Sequence, residues 1–225
     1  MGLPSGNLFY NVRSNNPLRQ GTALARPREF DEGAALDAAM QRFWAVGYAA
    51  TSVRDLGEAM GLGPASIYNA FGDKRSLFVQ CLDRYLDGNM RERIMRLEQG
   101  LPPRQAIEAF LREIVERSLE SRLGCMLANA ALEIAPHDAD IAAVVEARMG
   151  ELEDFFRRCV TAGCRDGTIT AGIDADDAAR LLLTTVMGLR LLARGYPKRE
   201  VLEAAVRQVL RGLSRPERHG PVPRR

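Results

Sequence analysis

The side chains best suited to binding chemistry lie close together, between residues 52 and 74. Tyr68 offers a ring for a thymine methyl group and a hydroxyl for a phosphate, and Asn69 can donate and accept at base edges. Lys74 stands at the predicted start of a helix, where its charge and the free backbone N–H groups can hold one phosphate. Arg54 can reach a guanine or the backbone. These residue types predict contact with double-stranded DNA.

Two short helices joined by a tight turn are predicted to position these side chains. Ser52 can cap the first helix, and Asp55, three residues on, completes a capping box. Gly61 and Gly63 permit a sharp turn, and Pro64 suits the first position of a second helix. This is the helix-turn-helix arrangement, in which the second helix enters the DNA major groove. That helix is expected to expose Pro64, Ala65, Tyr68 and Asn69.

Several motifs keep their mutual spacing between Ala35 and Phe78, about a fifth of the chain: Phe43-x-x-x-Gly47-Tyr48, Thr51-Ser52-Val53, Met60-Gly61-Leu62, Ser66-Ile67-Tyr68, Phe71 and Lys74-x-x-Leu77. Together they resemble the DNA-binding domain of tetracycline-repressor-like (TetR-like) transcriptional regulators. The resemblance implies that the positions of Ser52, Arg54, Pro64, Ala65, Tyr68 and Lys74 face DNA. With Ser66 and Asn69 they make up the predicted DNA-binding residues.

Two positions depart from that family's pattern. Ala70 stands where an aromatic residue or histidine is usual, so one backbone contact to DNA is expected to be missing. Gly57 replaces the usual alanine in the first motif helix, at a cost of about 0.5–1 kcal/mol in helix stability. Neither change removes the geometry of the motif.

Charge is distributed unevenly along the chain. The net charge is +2, and 46% of the 225 residues are hydrophobic, enough for a sizeable core. Residues 1–28 carry four arginines and no acid, and residues 211–225 carry five arginines and one glutamate. Basic ends around a mildly acidic middle suit a protein that touches phosphate at one end and a small molecule elsewhere. For the basic C-terminal end, a role in solubility alone is an equal alternative.

Catalysis and metal binding find little support in the sequence. The two histidines, His137 and His219, have no evident catalytic partner, and the four cysteines show no metal-ligand spacing. Asp174, Asp176 and Asp177 more simply complement a helix start. No cofactor, no metal and no enzymatic activity are therefore expected. With neither a secretory signal nor a membrane span visible, the expected location is cytoplasmic, with reduced thiols.

The periodicity of apolar residues predicts an all-α chain of about nine helices. A basic arm over 1–27, read as either a DNA-contacting arm or a wrongly assigned start, precedes a helix-turn-helix domain over 28–78. A helical effector-binding and dimerisation domain follows over 79–213, then a basic tail over 214–225. A long helix is expected from Lys74 to about Leu97, joining the two domains.

An effector pocket is expected among the helices between Lys74 and Gly163, which carry more apolar surface than pairwise packing needs. Segment 124–133 places Asn129 among small and apolar residues. The resemblance implies a pocket in this region, and ligand binding that moves two DNA-reading heads apart. Its candidate residues, each also explicable as plain core, are Tyr85, Phe110, Met126, Asn129, Glu133, Phe155 and Met187.

Self-association is expected through the last two helices. A single helix-turn-helix covers little DNA, and a two-fold dimer reads two half-sites. The resemblance implies a four-helix bundle formed by this pair from each copy. The predicted interface residues are Leu182, Leu189, Val206 and Leu210.

The sequence thus predicts a homodimeric, ligand-responsive repressor that binds a palindromic operator and is released by an unidentified small molecule. Three alternatives stay open: an effector-independent DNA-binding or interaction protein, a thiol-based redox regulator acting through Cys125, and an α-helical enzyme. Cys125 follows Gly124 near a helix N-terminus, which would lower a thiol pKa, but it also fits as a small buried hydrophobe.

Overall fold

The structure, a computed structural model, describes residues 30–121 and 123–214. The predicted arm over 1–27, His219 and the basic tail beyond residue 214 lie outside these residues. The described chain forms helices and no strands, in this order: α1 (Glu32–Val46), α2 (Val53–Met60), α3 (Pro64–Phe71), α4 (Lys74–Leu86), a π-helical turn (Asp87–Arg91), α5 (Glu92–Gly100), α6 (Pro103–Glu120), α7 (Met126–Glu133), a 3₁₀ turn (Ala135–His137), α8 (Ala139–Asp166), α9 (Ala175–Gly195) and α10 (Arg199–Gly212).

The long helix expected from Lys74 is continuous but not regular. Its first half, α4, passes through the π-helical turn at Asp87–Arg91 directly into α5. Taken as one helix, these three segments bring the described chain to nine helices, as predicted. A π turn inserts one residue into the helical ladder, so it rotates everything beyond it relative to α4.

The helix-turn-helix follows the local rules read from the sequence. Ser52 accepts a hydrogen bond from the Asp55 amide, and the Asp55 carboxylate accepts one from the Ser52 amide at 2.7 Å, completing the capping box. Gly61 ends α2 with φ +66°, a left-handed conformation that glycine adopts without strain. Pro64 opens α3, where its missing N–H costs nothing.

Gly57 is held close to the turn that follows its helix. A Cβ added at this position would lie 2.7 Å from the carbonyl oxygen of Leu62, closer than carbon and oxygen normally approach. The Leu62 amide also donates to the Gly57 carbonyl at 3.0 Å. The propensity cost expected from the sequence is therefore accompanied by a gain, because glycine lets α2 and the turn pack tightly.

Helices α1 to α3 and the first turns of α4 form the head, and the later helices form the body. In the head, the rings of Phe43 and Phe78 meet edge to face at 5.3 Å and join α1 to α4. In the body, Phe110 of α6 meets Phe155 and Phe156 of α8, with ring centroids 5.1–5.5 Å apart. Within the described ranges no helix is long and apolar enough to cross a membrane.

Candidate DNA interface and effector cavity

One face of α3 is open to solvent. Ile67 and Phe71 are buried and fix the helix to the head. The opposite face exposes every residue of α3 that the sequence assigned to DNA: Pro64, Ala65, Ser66, Tyr68 and Asn69. Tyr68 is 51% exposed, which is unusual for a tyrosine without a partner surface. The helix therefore presents a neutral ring, a hydroxyl and an amide, the groups that read base edges.

Lys74 is positioned by an aromatic residue that the sequence quoted only as part of a motif. Its Nζ lies 4.3 Å from the centroid of the Tyr48 ring, and burial lowers the Lys74 pKa. The Tyr48 ring itself is held between Phe43 and Phe78, at 5.9 and 5.0 Å. The ammonium group thus stands at the start of α4, close to free backbone amides, where a phosphate can bind.

The start of α2 carries the other predicted contacts. Ser52 is exposed but occupied by its capping box. Arg54 is almost fully exposed, and its Nε lies 3.0 Å from the Glu58 carboxylate one turn on. Such an exposed i,i+4 pair is weak, so Arg54 can exchange Glu58 for a phosphate at little cost.

A small cavity of about 30 Å³ lies in the body, between α4, the π turn, α5, α6 and α9. Of the residues that the sequence assigned to the pocket, Tyr85, Phe110 and Met187 line it. Phe155 stands one layer away, with its ring centroid 5.2 Å from that of Phe110. Met126 is buried beside the cavity but outside its lining.

Asn129 and Glu133 lie elsewhere, which corrects their assignment to the pocket. The Asn129 amide donates to the Leu123 carbonyl at 3.1 Å and accepts from Arg194 at 2.9 Å. Glu133 is exposed on the far face of α7, and its carboxylate approaches Gly47. Helical spacing from Met126 could not reveal that α7 turns this face toward the head.

The polar residues that do line the cavity were missed by the sequence reading. Arg93 and Arg190 are only 3% and 7% exposed, and both side chains line it with Asn89 and Cys125. Cys125 itself is buried. Burial raises the pKa of the thiol of Cys159 to about 12, so that thiol stays protonated at neutral pH. The sequence held no sign that two arginines on α5 and α9 would be buried together.

The four residues predicted for a dimer interface are buried within the single chain, which corrects that assignment. Leu182 and Leu189 are at most 1% exposed, and Val206 and Leu210 are at most 8% exposed and border a groove between α6 and α10. Helix α9 is apolar on two faces, and periodicity alone did not distinguish them. The large apolar residues that α9 leaves exposed are Leu181, Leu191 and Leu192.

Head and body are joined by specific contacts. Trp44 of α1 donates through its indole N–H to the Gly124 carbonyl at 3.2 Å. Its ring also meets Tyr85, which lines the cavity, with centroids 5.1 Å apart. On the other side of the head, Arg75 of α4 pairs with Asp138 at the start of α8, at 2.9 Å. The cavity is therefore one side chain away from the first helix of the head.

Comparison with known proteins agrees with this architecture. Residues 35–81 match the family described as bacterial regulatory proteins, tetR family, and residues 102–209 match the tetracyclin repressor-like C-terminal domain. Over 175 residues the chain is 31% identical to the uncharacterised HTH-type transcriptional regulator YezE of Bacillus subtilis (strain 168), covering 76% of this chain and 90% of the relative. The chain belongs to the TetR family.

Other TetR-family relatives include the HTH-type transcriptional repressor ComR of Escherichia coli (strain K12), 31% identical over 75% of this chain and 82% of that protein. Among solved structures, a cysteine mutant of the TetR-family regulator CifR, complexed with 26-bp double-strand operator DNA, superposes with a TM-score of 0.75. It is 35% identical and covers 84% of this chain and all of that one. Like its family, this TetR-family protein is a DNA-binding transcriptional regulator.

Proposed function

We propose that this TetR-family protein is a homodimeric repressor that binds a two-fold-symmetric operator and leaves it when a small molecule enters the cavity in its body. The observation that carries the proposal is the unpartnered face of α3, with Tyr68 half exposed at its centre. Repression is supported by relatives that are named as repressors, such as ComR. Release by a ligand is supported by the buried cavity and its contact with the head.

Operator binding is tested by selecting genomic fragments with the purified full-length protein and measuring affinity for the selected duplex. We expect selected duplexes to contain two similar half-sites about one helical turn apart, because a two-fold dimer places two α3 helices in successive major grooves. Removing one half-site should weaken binding strongly. Selected fragments that hold a single site, bound equally well after truncation, would contradict the proposal.

The exposed face of α9 is the proposed contact between copies. Leu181 and Leu191 are 56% and 55% exposed, and Thr184 and Gly188 lie between them at helical spacing. A stripe with leucines at its ends and small residues in the middle lets two helices approach closely. A monomer leaves such an apolar face exposed only where something else covers it.

Light scattering at micromolar concentration tests this contact. The wild type should have the mass of a dimer, and Leu191→Glu should have the mass of a monomer, because a carboxylate would be buried without a partner. Leu132→Glu is the matched control, since Leu132 is equally exposed (59%) but lies on α7. A monomeric wild type, or a dimeric Leu191→Glu variant, would refute this arrangement.

Coupling between cavity and DNA is proposed to run through Tyr85 and Trp44. Tyr85 is buried (2% exposed), lines the cavity and meets the Trp44 ring, so a ligand that displaces Tyr85 must also disturb Trp44 and α1. Ligand and operator then favour different positions of the head, which is all that release requires.

Trp44 is the only tryptophan of the chain, so its fluorescence reports on this junction directly. Operator DNA should change the Trp44 emission, and any compound that releases DNA should change it in the opposite direction. The control is Trp44→Phe, which keeps an aromatic ring against Tyr85 but removes the signal. Release of DNA with no change in Trp44 emission would exclude this route of coupling.

A further inference from the structure

We propose that the effector of this protein is a small organic carboxylate, whose carboxylate group binds Arg93 and Arg190 in the body cavity and whose remainder is apolar. The inference rests on the proposed ligand-responsive function and specifies the chemical class of the ligand.

Arg93 supplies the first argument. Its side chain is 3% exposed, and neither Nη1 nor Nη2 has a hydrogen-bond partner among the described residues. Only Nε lies near a carboxylate, 3.0 Å from Glu113, and Glu113 also binds the exposed Arg96 at 2.8 Å. A buried guanidinium with two free terminal nitrogens is costly, and a ligand that accepts from both removes the cost.

Arg190 faces the same space from α9. It is 7% exposed, and the one hydrogen bond it is seen to donate goes to the Ser118 hydroxyl at 3.3 Å. The lining contains no aspartate or glutamate. Burial and the nearby positive charges of Arg117 and Arg190 lower the pKa of Arg93 to about 10, so Arg93 remains charged at neutral pH. Two uncompensated positive charges in one enclosed space favour an anion.

The rest of the lining limits what that anion can be. Apolar side chains form most of the remaining wall: Leu86, Phe110, Ile114, Leu152, Val186 and Met187. The ligand must therefore combine a negative group with an apolar part. A guanidinium binds a planar carboxylate through two parallel hydrogen bonds, so a carboxylate matches the free Nη1 and Nη2 of Arg93.

The size of the cavity agrees with an anionic head group. A volume of about 30 Å³ holds about two water-sized groups. Beyond it, Asn89 and Met187 are only partly buried, and methionine is the side chain that most readily adopts other shapes. The apolar part of the ligand enters by displacing Met187. Asn89 belongs to the π-helical turn, and such turns recur at functional sites.

The test compares carboxylates with matched amides on the full-length protein. Butyrate, hexanoate and benzoate are titrated against butyramide, hexanamide and benzamide at constant ionic strength, with thermal unfolding and Trp44 emission as readouts. At least one carboxylate should raise the unfolding temperature where its amide does not. Arg93→Met and Arg190→Met should each weaken that binding about 10- to 100-fold, the effect of losing a charged hydrogen-bond partner.

Arg96→Met is the matched control, because Arg96 shares Glu113 with Arg93 but is exposed to solvent. It should bind the carboxylate as the wild type does, and circular dichroism of each variant shows that it is folded. Amides that bind as well as their acids, carboxylates that all fail to bind, or an Arg93→Met variant with wild-type affinity would overturn the proposal. Stronger stabilisation by inorganic phosphate than by any carboxylate would overturn the assignment to carboxylates.

These readouts do not involve DNA. Failure of the wild type to bind any duplex would therefore count against the proposed repressor function, and carboxylate binding would be judged separately.

Discussion

Replacing Arg93 with methionine is expected to stabilise the ligand-free protein, which is unusual for a substitution at a buried position. The pKa of Arg93 falls from its usual 12.5 to about 10, with burial as the largest cause. At about 1.36 kcal/mol for each pKa unit, the folded state carries a penalty on the order of 3 kcal/mol for the charged group. Methionine keeps much of the length of the side chain and removes this charge.

Part of that gain is offset by contacts that are lost. The Arg93 guanidinium lies 5.4 Å from the centroid of the Phe110 ring, a cation–π contact worth about 0.5–2 kcal/mol. Glu113 is not left unpaired, because Arg96 still binds it at 2.8 Å. The free energy of unfolding should therefore rise by about 1–2 kcal/mol, which corresponds to a rise in Tm of about 2–8 °C.

Urea denaturation followed by circular dichroism measures this change, with all proteins at the same protomer concentration because a dimer is stabilised by mass action. Arg96→Met is the control and should change the free energy by less than about 0.5 kcal/mol, since Arg96 is exposed. If Arg93→Met is destabilised by more than about 1 kcal/mol, the guanidinium is well satisfied in the folded chain, and the reasoning about a ligand-free charge is wrong.

Three further substitutions probe the head and the core. Ser52→Ala should lower the free energy of unfolding by about 1 kcal/mol because it removes the α2 cap; its partner Asp55 has a lowered pKa, chiefly through the Ser52 amide, so the contribution is present above pH about 4 and disappears as the pH falls through the lowered pKa in an acid titration followed by circular dichroism. Lys74→Ala should weaken binding to all duplexes alike and reduce the slope of log K against log salt by about 0.9 per contact, measured by fluorescence anisotropy; an unchanged slope would mean that Lys74 meets no phosphate. Phe110→Ala should cost about 3–5 kcal/mol in urea denaturation, because it empties the space between Phe155 and Phe156; a loss below about 1 kcal/mol would show that the body core can collapse around it.

The head could be predicted almost completely because its structure depends on short-range rules. A capping box, a left-handed glycine and a proline at the first helical position each depend on residues within a few positions of one another. Ser52, Gly61 and Pro64 therefore fixed the helix boundaries within a residue or two. The exposed face of α3 followed from the spacing of Ile67 and Phe71.

The body was less predictable because several helices compete for each apolar face. Helix α9 carries leucine at 181 and 182, so two faces are apolar, and only packing against α6 and α8 decides that Leu182 is buried and Leu181 exposed. Arg93 stands among charged residues that look solvated in the sequence. Its burial arises only when α6 and α9 close over α5, and the π turn shifts its direction relative to α4.

The central claim, that α3 reads base sequence, is tested most directly by the ratio of affinities for a selected duplex and a scrambled duplex of the same composition. The wild type and the Tyr68→Ala variant are compared at one fixed salt concentration, because phosphate contacts vary with salt. We expect Tyr68→Ala to lower this ratio about 5- to 150-fold, which corresponds to about 1–3 kcal/mol of discrimination. Equal weakening on both duplexes, leaving the ratio unchanged, would contradict the account.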